Sequence, residues 1–421
     1  MHTIIHGDCL EELKKLEDNS VDEVITDPPY GLSNTKPQQV ADVLKAWVTG
    51  DTVSVPAKRG GFMGADWDSF VPPPAVWEEC MRALKPGGHM AVFAGARTQD
   101  LMGLSIRLAG FEIRDTLGWI YGSGFPKSMD ISKAIDKAAG AEREVIGDSP
   151  YASRKPNGSA GVASVGLSAT PGAKITAPAT PDAQRWDGWG TALKPAIEPI
   201  ILARKPLDGT VANNVLAHGV GGLNIDACRV ATGDTLSIGS GKPAFASDFS
   251  GSNPGTQNPA GRFPANVLLD EHAAKEMDKQ SGHLSPGARP GNTATRPKFN
   301  GATYNSGKVY DGKIDEPRVA MDSGGGASRF FPVFKYQAKA PKKERPVIVR
   351  EDGTKVQHPT VKPLKLMEWL VTLITPEGGT ILDPFAGTGT TLQAATNKGF
   401  HPIGIEADAD YIKLIEKRLG Q

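Results

Sequence analysis

The sequence predicts an α/β fold, a mostly parallel sheet covered by helices, and three observations carry that expectation. Short apolar runs alternate with segments of helical period at both ends of the chain. Several of these runs stop at a turn rich in Gly or Pro, and the middle of the chain loses the rhythm. Alternation of this kind lays strands side by side through crossover helices, which is how parallel sheets are built.

Taken in order, Thr3-Ile4-Ile5 is a first apolar run, and Leu10, Leu13 and Leu16 follow at helical spacing. Val24-Ile25-Thr26 predicts a buried strand that stops at Asp27-Pro28-Pro29-Tyr30. Trp77 to Leu84 predicts a helix closed by Lys85-Pro86-Gly87-Gly88, and His89 to Ala94 predicts the strand after it. Between about residues 145 and 330 Gly and Pro rise, as in Gly239-Ser240-Gly241-Lys242-Pro243 and Met321 to Gly326. Such composition favours loops or short strands over a continuous helical core. Two islands interrupt it: Ile197 to Ala203 predicts a strand near the sheet edge, where Pro199 is tolerated, and Ala212 to Val230 predicts a small folded piece. Periodicity returns at residue 358. Leu364, Met367, Val371 and Ile374 share a helical face, and Thr380-Ile381-Leu382 predicts a strand. A helix is expected after Gly389, a strand over Pro402 to Glu406, and a closing helix marked by Tyr411, Leu414, Ile415 and Leu419.

A chain of 421 residues exceeds one ordinary core, which stops growing near roughly 250 to 300 residues, so a core with an inserted or appended module is expected. Lys+Arg and Asp+Glu each number 47, so the net charge offers no general attraction to a polyanion, and any nucleic-acid surface must be local. The densest basic strip is Lys335, Lys339, Lys342, Lys343, Arg345 and Arg350, with Glu344 the one acid within it. Phosphate contact and a solvated linker are its two readings. Cys9, Cys80 and Cys228 are too far apart in sequence for a metal clip or a disulfide framework, which fits a reducing cytosol and no metal site. Met1 to Leu10 carries His2, His6 and Asp8 where a signal peptide needs an apolar stretch, and no run of about 18 apolar residues appears. A cytoplasmic protein without membrane attachment is expected.

Two constellations carry chemistry. The first is Leu382-Asp383-Pro384-Phe385-Ala386-Gly387-Thr388-Gly389-Thr390-Thr391, set between a strand and a helix. Its glycines let the backbone approach a ligand closely. No Lys follows the second glycine and the third glycine of a dinucleotide fingerprint is missing, so a pyrophosphate cradle is disfavoured. Glu406, at the end of the next strand, is placed to take two ribose hydroxyls, so a nucleoside cofactor without a pyrophosphate fits. An ordinary glycine-rich turn is the competing reading.

The second is Asp27-Pro28-Pro29-Tyr30, at the carboxyl end of a strand, where open parallel sheets bind ligands. The prolines fix the backbone and remove two N–H donors. The lone pair of a conjugated base amine is spread into the ring. If Asp27 and the Pro28 carbonyl each accept one amine hydrogen, the nitrogen moves toward tetrahedral geometry and its lone pair is freed. Tyr30 would stack on the extracted base. A Pro-rich turn with Tyr30 as a core aromatic is the alternative.

With these residues in place, the sequence resembles the β-class DNA amino-methyltransferases, in which an Asp-Pro-Pro-Tyr turn, a target-recognition region and a Phe-x-Gly-x-Gly motif follow in that order. The likeness covers roughly residues 1–122, 190–205 and 355–421. It implies a Rossmann-like methyltransferase fold, circularly permuted, with a seven-stranded mostly parallel sheet and one antiparallel strand. It also implies S-adenosylmethionine as cofactor and DNA as partner, with a homodimer as an open option. Carried over by position, Asp27, Pro28, Pro29 and Tyr30 are the expected catalytic residues. Asp8, Cys9, Asp27, Thr360, Lys362, Asp383, Phe385, Ala386, Gly387, Gly389, Thr390, Thr391 and Glu406 are the expected cofactor contacts. Lys362 lies in His358-Pro359-Thr360-Val361-Lys362-Pro363, which resembles the segment before the family's cofactor-side helix; a surface residue at a helix start is the other reading. Trp119 to Lys127 and Trp189 to Pro195 resemble segments of phage-type members, whose aromatics either wall the base pocket or pack the sheet end.

The division that follows is a catalytic half at 1–122, a loop-rich insertion at 123–190, and an edge strand at 191–204. A target-recognition region at 205–335, a basic linker at 336–357 and a cofactor half at 358–421 complete it. The expected reaction is methylation of adenine N6 in a flipped-out base. Cytosine N4 is the alternative, since Asp rather than Ser at the first motif position is what favours adenine, and an inactive DNA-binding relative is the second alternative. The resemblance also implies that Thr3 to Ile5 pairs beside the strand ending at Glu406, so that Asp8, Asp27 and Gly387 converge on one cleft.

Overall fold

The computed structural model describes residues 2–33, 35–56, 68–122, 124, 128–148, 174–232, 261–283, 324–334, 345–358 and 360–420. The first part runs β1 (Thr3–His6), α1 (Cys9–Leu13), β2 (Glu23–Thr26), α2 (Pro37–Val48), α3 (Pro74–Ala83), β3 (His89–Phe93), α4 (Gln99–Leu108) and β4 (Glu112–Ile120). Then come α5 (Ile131–Ala138), β5 (Val145–Asp148), β6 (Lys174–Thr176), α6 (Pro181–Arg185), β7 (Ile197–Arg204), α7 (Val211–His218), β8 (Val267–Asp270), α8 (Glu271–Ser281) and β9 (Val333–Phe334). The chain closes with β10 (Ile348–Val349), β11 (Lys355–Val356), α9 (Leu364–Ile374), β12 (Thr380–Asp383), α10 (Thr390–Asn397), β13 (His401–Glu406) and α11 (Ala409–Leu419).

Among the described residues nine strands form one sheet in the order β1-β13-β12-β2-β3-β7-β4-β8-β9, with β7 antiparallel to both neighbours and the other pairings parallel. β5 with β6, and β10 with β11, make separate antiparallel hairpins. The two ends of the chain meet as expected: Thr3 pairs with Ile403 and His6 with Glu406. The seven strands from β1 to β4 match the expected sheet with its single antiparallel member. β8 and β9, contributed by the Gly/Pro-rich middle, extend it to nine.

Two expectations need correction. The strand in 191–204 is not at an edge: β7 lies between β3 and β4, and its last six residues are buried. Pro199 is tolerated because β3 pairs with β7 only as far as Ile200, so the missing N–H costs β3 no ladder bond, while the Pro199 carbonyl still accepts from Ala94 N at 2.9 Å. The described parts of the insertion, 128–148 and 174–190, are also more ordered than their composition implies. Asp136 of α5 accepts from Arg143 Nη1 (2.6 Å), Ala179 N and Thr180 N (both 3.0 Å), so a buried polar hub stands in for an apolar core there. The island at 212–230 does fold: α7 is followed by a short turn whose Cys228 packs against α9.

Alternation along the strands feeds two cores. Val24, Met90 and Val92 face α1, α2, α3 and α4, with Leu13, Trp47, Trp77 and Ile106. Ile25, Ala91 and Phe93 face α9 and α10, with Leu366, Leu370, Val371 and Ala394. Helices on both faces leave the carboxyl ends of β1, β13, β12, β2 and β3 along one rim, and the antiparallel β7 begins at that same rim.

Candidate active site

β12 ends in Asp383, which is buried and bonded across the sheet by Thr26 Oγ1 of β2 at 2.7 Å. Phe385 N donates to the same oxygen at 3.1 Å, and Thr391 of α10 is a further side-chain donor. Burial lifts this carboxyl to about 6, against the pull of those donors. The loop that follows turns tightly, with Ala386 N bonded to Ile405 O (2.9 Å) and Gly389 N to Ala386 O (2.7 Å). Gly387 and Gly389 have φ of +54° and +73°, and a Cβ on Gly389 would lie 2.9 Å from Ile415 Cγ2, so both the conformation and the space call for glycine there. Phe385 rests on the fully buried Trp77, ring centroids 6.4 Å apart.

Glu406 stands at the end of β13 beside that loop. Its Oε2 accepts from Gly387 N at 2.8 Å and its Oε1 from Asp408 N at 2.9 Å. Burial raises the carboxyl to about 7 despite both donors. Gly7 N bonds the Glu406 carbonyl at 3.0 Å, which brings the end of β1 alongside. The Asp8 side chain caps α1, accepting from Leu10 N (3.0 Å) and Glu11 N (3.3 Å). The Cys9 thiol is pushed up to about 12 by burial, with the Asp8 and Glu406 charges adding, so it is a packing group rather than a nucleophile.

Asp27, just past β2, has both oxygens engaged. Tyr30 donates its hydroxyl to Oδ1 at 2.7 Å, and the Lys362 ammonium lies 2.7 Å from Oδ2. Lys362 also reaches Glu198 Oε2 at 3.2 Å and donates to Tyr30 Oη at 2.9 Å. Its ammonium lies 4.8 Å from the Phe93 ring centroid and 5.2 Å from that of Tyr30, which it meets from the hydroxyl end. Burial pulls the Lys362 pKa down, but Asp27 and Glu198 outweigh it and the net shift is upward, so the ammonium is charged. Burial, Asp27 and Glu198 together drive the Tyr30 hydroxyl well above its usual range, so it stays a neutral donor. The turn itself is held by Asp68 Oδ1, which accepts from Tyr30 N (2.6 Å) and Gly31 N (2.9 Å), and by Thr98 Oγ1, which donates to Tyr30 O (2.6 Å).

The two constellations converge. The charge of Asp27 is felt at Asp383 and at His358, and His358 Nε2 lies 3.7 Å from where a Gly387 Cβ would stand. Ala386, Thr390 and Thr391 are buried beneath the loop. Thr360 is exposed, and its N–H bonds His358 Nδ1 at 3.3 Å. Lys362 is buried, which removes the surface reading, and it points at Asp27 and Glu198. Trp119 is a core residue against Phe334, and Trp189 is exposed beside Trp186, so neither walls this cleft; Phe125 to Lys127 lie outside the described residues. Of the basic strip, Lys335, Lys339, Lys342, Lys343 and Glu344 lie outside the described residues, and Arg350 is bound to Asp410 of α11 at 2.6 Å.

Glu198, Asp68, Thr98 and the edge-on contact of His358 with Tyr411 were not legible as site features. Glu198 reaches the cleft because β7 runs against its neighbours, so only knowledge of the topology could have pointed to it. Among the described residues no group of three His, Cys, Asp or Glu side chains is placed to hold a metal ion, and no helix is long and apolar enough to cross a membrane.

Comparison with known proteins adds the following. A family model for DNA methylases of the N6/N4 type matches residues 249–417, a span that takes in the Asp383–Thr391 loop and Glu406 and leaves Asp27 to Tyr30 outside. The chain is similar to the Type II methyltransferase M.HindIII of Haemophilus influenzae, 21% identical over 433 residues covering 99% of this chain and 94% of that one. It is similar over a shorter stretch to the Type II methyltransferase M2.DpnII of Streptococcus pneumoniae, 48% identical over 63 residues. That match spans 15% of this chain and only 24% of the relative. The DNA adenine methyltransferase YhdJ of Escherichia coli is 33% identical over 121 residues, 29% of this chain and 34% of that one.

Proposed function

We infer that this chain belongs to the DNA amino-methyltransferases and transfers a methyl group from S-adenosylmethionine to the exocyclic amine of a base in DNA. The observation that carries the reading is the placement of Asp27-Pro28-Pro29-Tyr30 at the end of β2, one strand from the glycine loop of β12 and tied to it by the Thr26–Asp383 bond. Transfer then needs a cofactor over Gly387 and a base against Tyr30, on two sides of one carboxylate-lined cleft.

The residues present fit the cofactor. Gly387 has open space above it up to His358, and Glu406 keeps lone pairs beyond those used by Gly387 N and Asp408 N. Glu406 would take the ribose hydroxyls, Asp8 the adenine amine, and Phe385, Ala386, Gly389, Thr390 and Thr391 would shape the loop. The bound cofactor supplies a sulfonium methyl carbon and leaves as a thioether, keeping the electron pair of the broken C–S bond. On the protein side, Asp27 and the Pro28 carbonyl hold the two amine hydrogens, so that the nitrogen lone pair forms the new C–N bond. One proton then passes from nitrogen to Asp27 and on to water. No donor among the described residues reaches the Pro28 carbonyl, which is therefore free to accept. Tyr30 would stack on a base taken out of the duplex, offsetting part of an unstacking cost of about a few kcal/mol.

Adenine N6 is the target on this reading, supported by Asp27 at the first motif position and by the likeness to YhdJ. Residues 205–335 would supply sequence recognition, and the pairing of β1 with β13 is consistent with a circular permutation. The groups named all lie on one chain, and a sulfonium-to-amine transfer needs no metal. A cytoplasmic location is consistent with a DNA substrate. Long-read sequencing of DNA from cells expressing the chain tests this: methylated adenine within one short motif is expected. Unmodified DNA from a chain that still binds cofactor would mark an inactive relative.

Cofactor affinity should also depend on pH near neutrality. Because burial raises Glu406 to about 7, its ionised form is lost on acidification near pH 7 rather than near the ordinary 4.5. The ribose hydroxyls donate to the ionised form, so affinity should fall about tenfold from pH 8 to pH 6. Titration calorimetry reads this, with Glu406→Gln expected to bind weakly and without the slope. A flat profile in the unmodified chain would remove Glu406 from the ribose site.

A further inference from the structure

Lys362 offers the same chemistry to the cleft that a base amine would. Its ammonium donates to Asp27 Oδ2 (2.7 Å), the acceptor the proposed reaction needs for the target amine, and meets Tyr30 at its hydroxyl end (2.9 Å to Oη). It is nine-tenths buried, and its three donors meet Asp27, Glu198 and Tyr30 Oη. Lys362 directly precedes Pro363, the N-cap of α9, so its long stem starts at the entry to that helix. Glu198 already stands 3.2 Å away on β7, and no part of the transfer reaction uses it.

We propose that Lys362 is a placeholder for the target amine, and that Glu198 is the acceptor to which its ammonium withdraws when the base enters. The inference rests on the methyltransferase reading of the same site. In the free protein the ammonium occupies Asp27 Oδ2 and, with the Tyr30 hydroxyl on Oδ1, holds the side chain in place. When the base arrives, its neutral amine takes over the Asp27 oxygen, and the ammonium moves fully to Glu198. The withdrawal serves the chemistry as well. The attacked nitrogen gains positive charge during transfer, and an ammonium left on Asp27 would repel it. Lys362 and Glu198 are thus positioning residues.

The test is a double-variant cycle, using the full chain, tritiated S-adenosylmethionine and genomic DNA free of adenine methylation, with cofactor affinity measured on each variant as a check of folding. Glu198→Gln strips the retreat site of its charge and leaves the ammonium on Asp27. Turnover is expected to fall on the order of tenfold, the weight of one pKa unit, with cofactor affinity unchanged. Adding Lys362→Met to Glu198→Gln removes the obstruction, and turnover is expected to recover to at least threefold above Glu198→Gln alone. A role in packing alone predicts the reverse, with the double variant no better than Glu198→Gln, and that result would overturn the placeholder. If the unmodified chain labels no DNA, the methyltransferase reading itself fails and the placeholder falls with it. Labelling by the unmodified chain without recovery in the double variant overturns the placeholder alone.

Discussion

Asp27→Ala is expected to lower methyl transfer by about three orders of magnitude or more, roughly 4 kcal/mol or more of lost transition-state stabilisation, while cofactor affinity stays within a few fold. The size follows from what Asp27 alone can do. A base amine has almost no nucleophilicity until its hydrogens are gripped, and Asp27 is the one carboxylate at the end of β2 with Tyr30 and Lys362 both directed at it. The sparing of cofactor affinity follows from the separate anchoring of Glu406 and the glycine loop, which is tied to Thr26 through Asp383 rather than to Asp27. The variant should fold, because Lys362 keeps Glu198 as counter-ion and the turn keeps its bonds to Asp68 and Thr98. Single-turnover labelling and equilibrium cofactor binding read the two quantities. Parallel loss of both would take Asp27 away from the target amine and assign it to the cofactor.

Trp77→Ala should cost about 3 to 5 kcal/mol of stability, the usual range for a large aromatic removed from a closed core. Trp77 is fully buried between α1, α4 and the sheet and lies beneath Phe385, so the cavity would open under the cofactor loop. Trp77→Phe should be far milder, about 1 kcal/mol. The indole Nε1 is buried without a hydrogen-bond partner, and removing an unpaired N–H returns part of what the lost volume costs. Denaturant unfolding of the two variants checks the contrast. Similar losses for both would mean that the indole nitrogen has a partner after all.

What the sequence disclosed was what depends on neighbours in the chain. A strand followed by Asp-Pro-Pro-Tyr, or by a loop with glycines two apart, is a local arrangement, and β2, β12 and β13 stand where the periodicity puts them. The convergence of Asp27, Asp383 and Glu406 followed from their shared position at strand ends. The features missed are those in which distant segments decide. Ile197 to Ala203 reads as a strand, but nothing local says that it threads between β3 and β4 in the opposite sense, and with that sense goes Glu198. Asp68 follows a stretch with no apolar period, so its grip on the Tyr30 and Gly31 amides has no local signature. Lys362 was visible as a residue before a helix; the side of the cleft that its long stem reaches is set by Asp27 and Glu198, not by its own segment. The hub around Asp136 escaped for a similar reason, since a Gly/Pro-rich composition argues against apolar packing and is silent about polar packing.

The register of β1 on β13 has a consequence for synthesis. Residues 3 to 6 pair with residues 403 to 406, so β1 waits for β13 to be made before it finds its neighbour. Contacts this distant along a polypeptide form late, after the entropy of closing so long a loop has been overcome. The Asp-Pro-Pro-Tyr turn is therefore made long before β13 sets Glu406 beside β1, and the two sides of the cleft are completed one after the other rather than together.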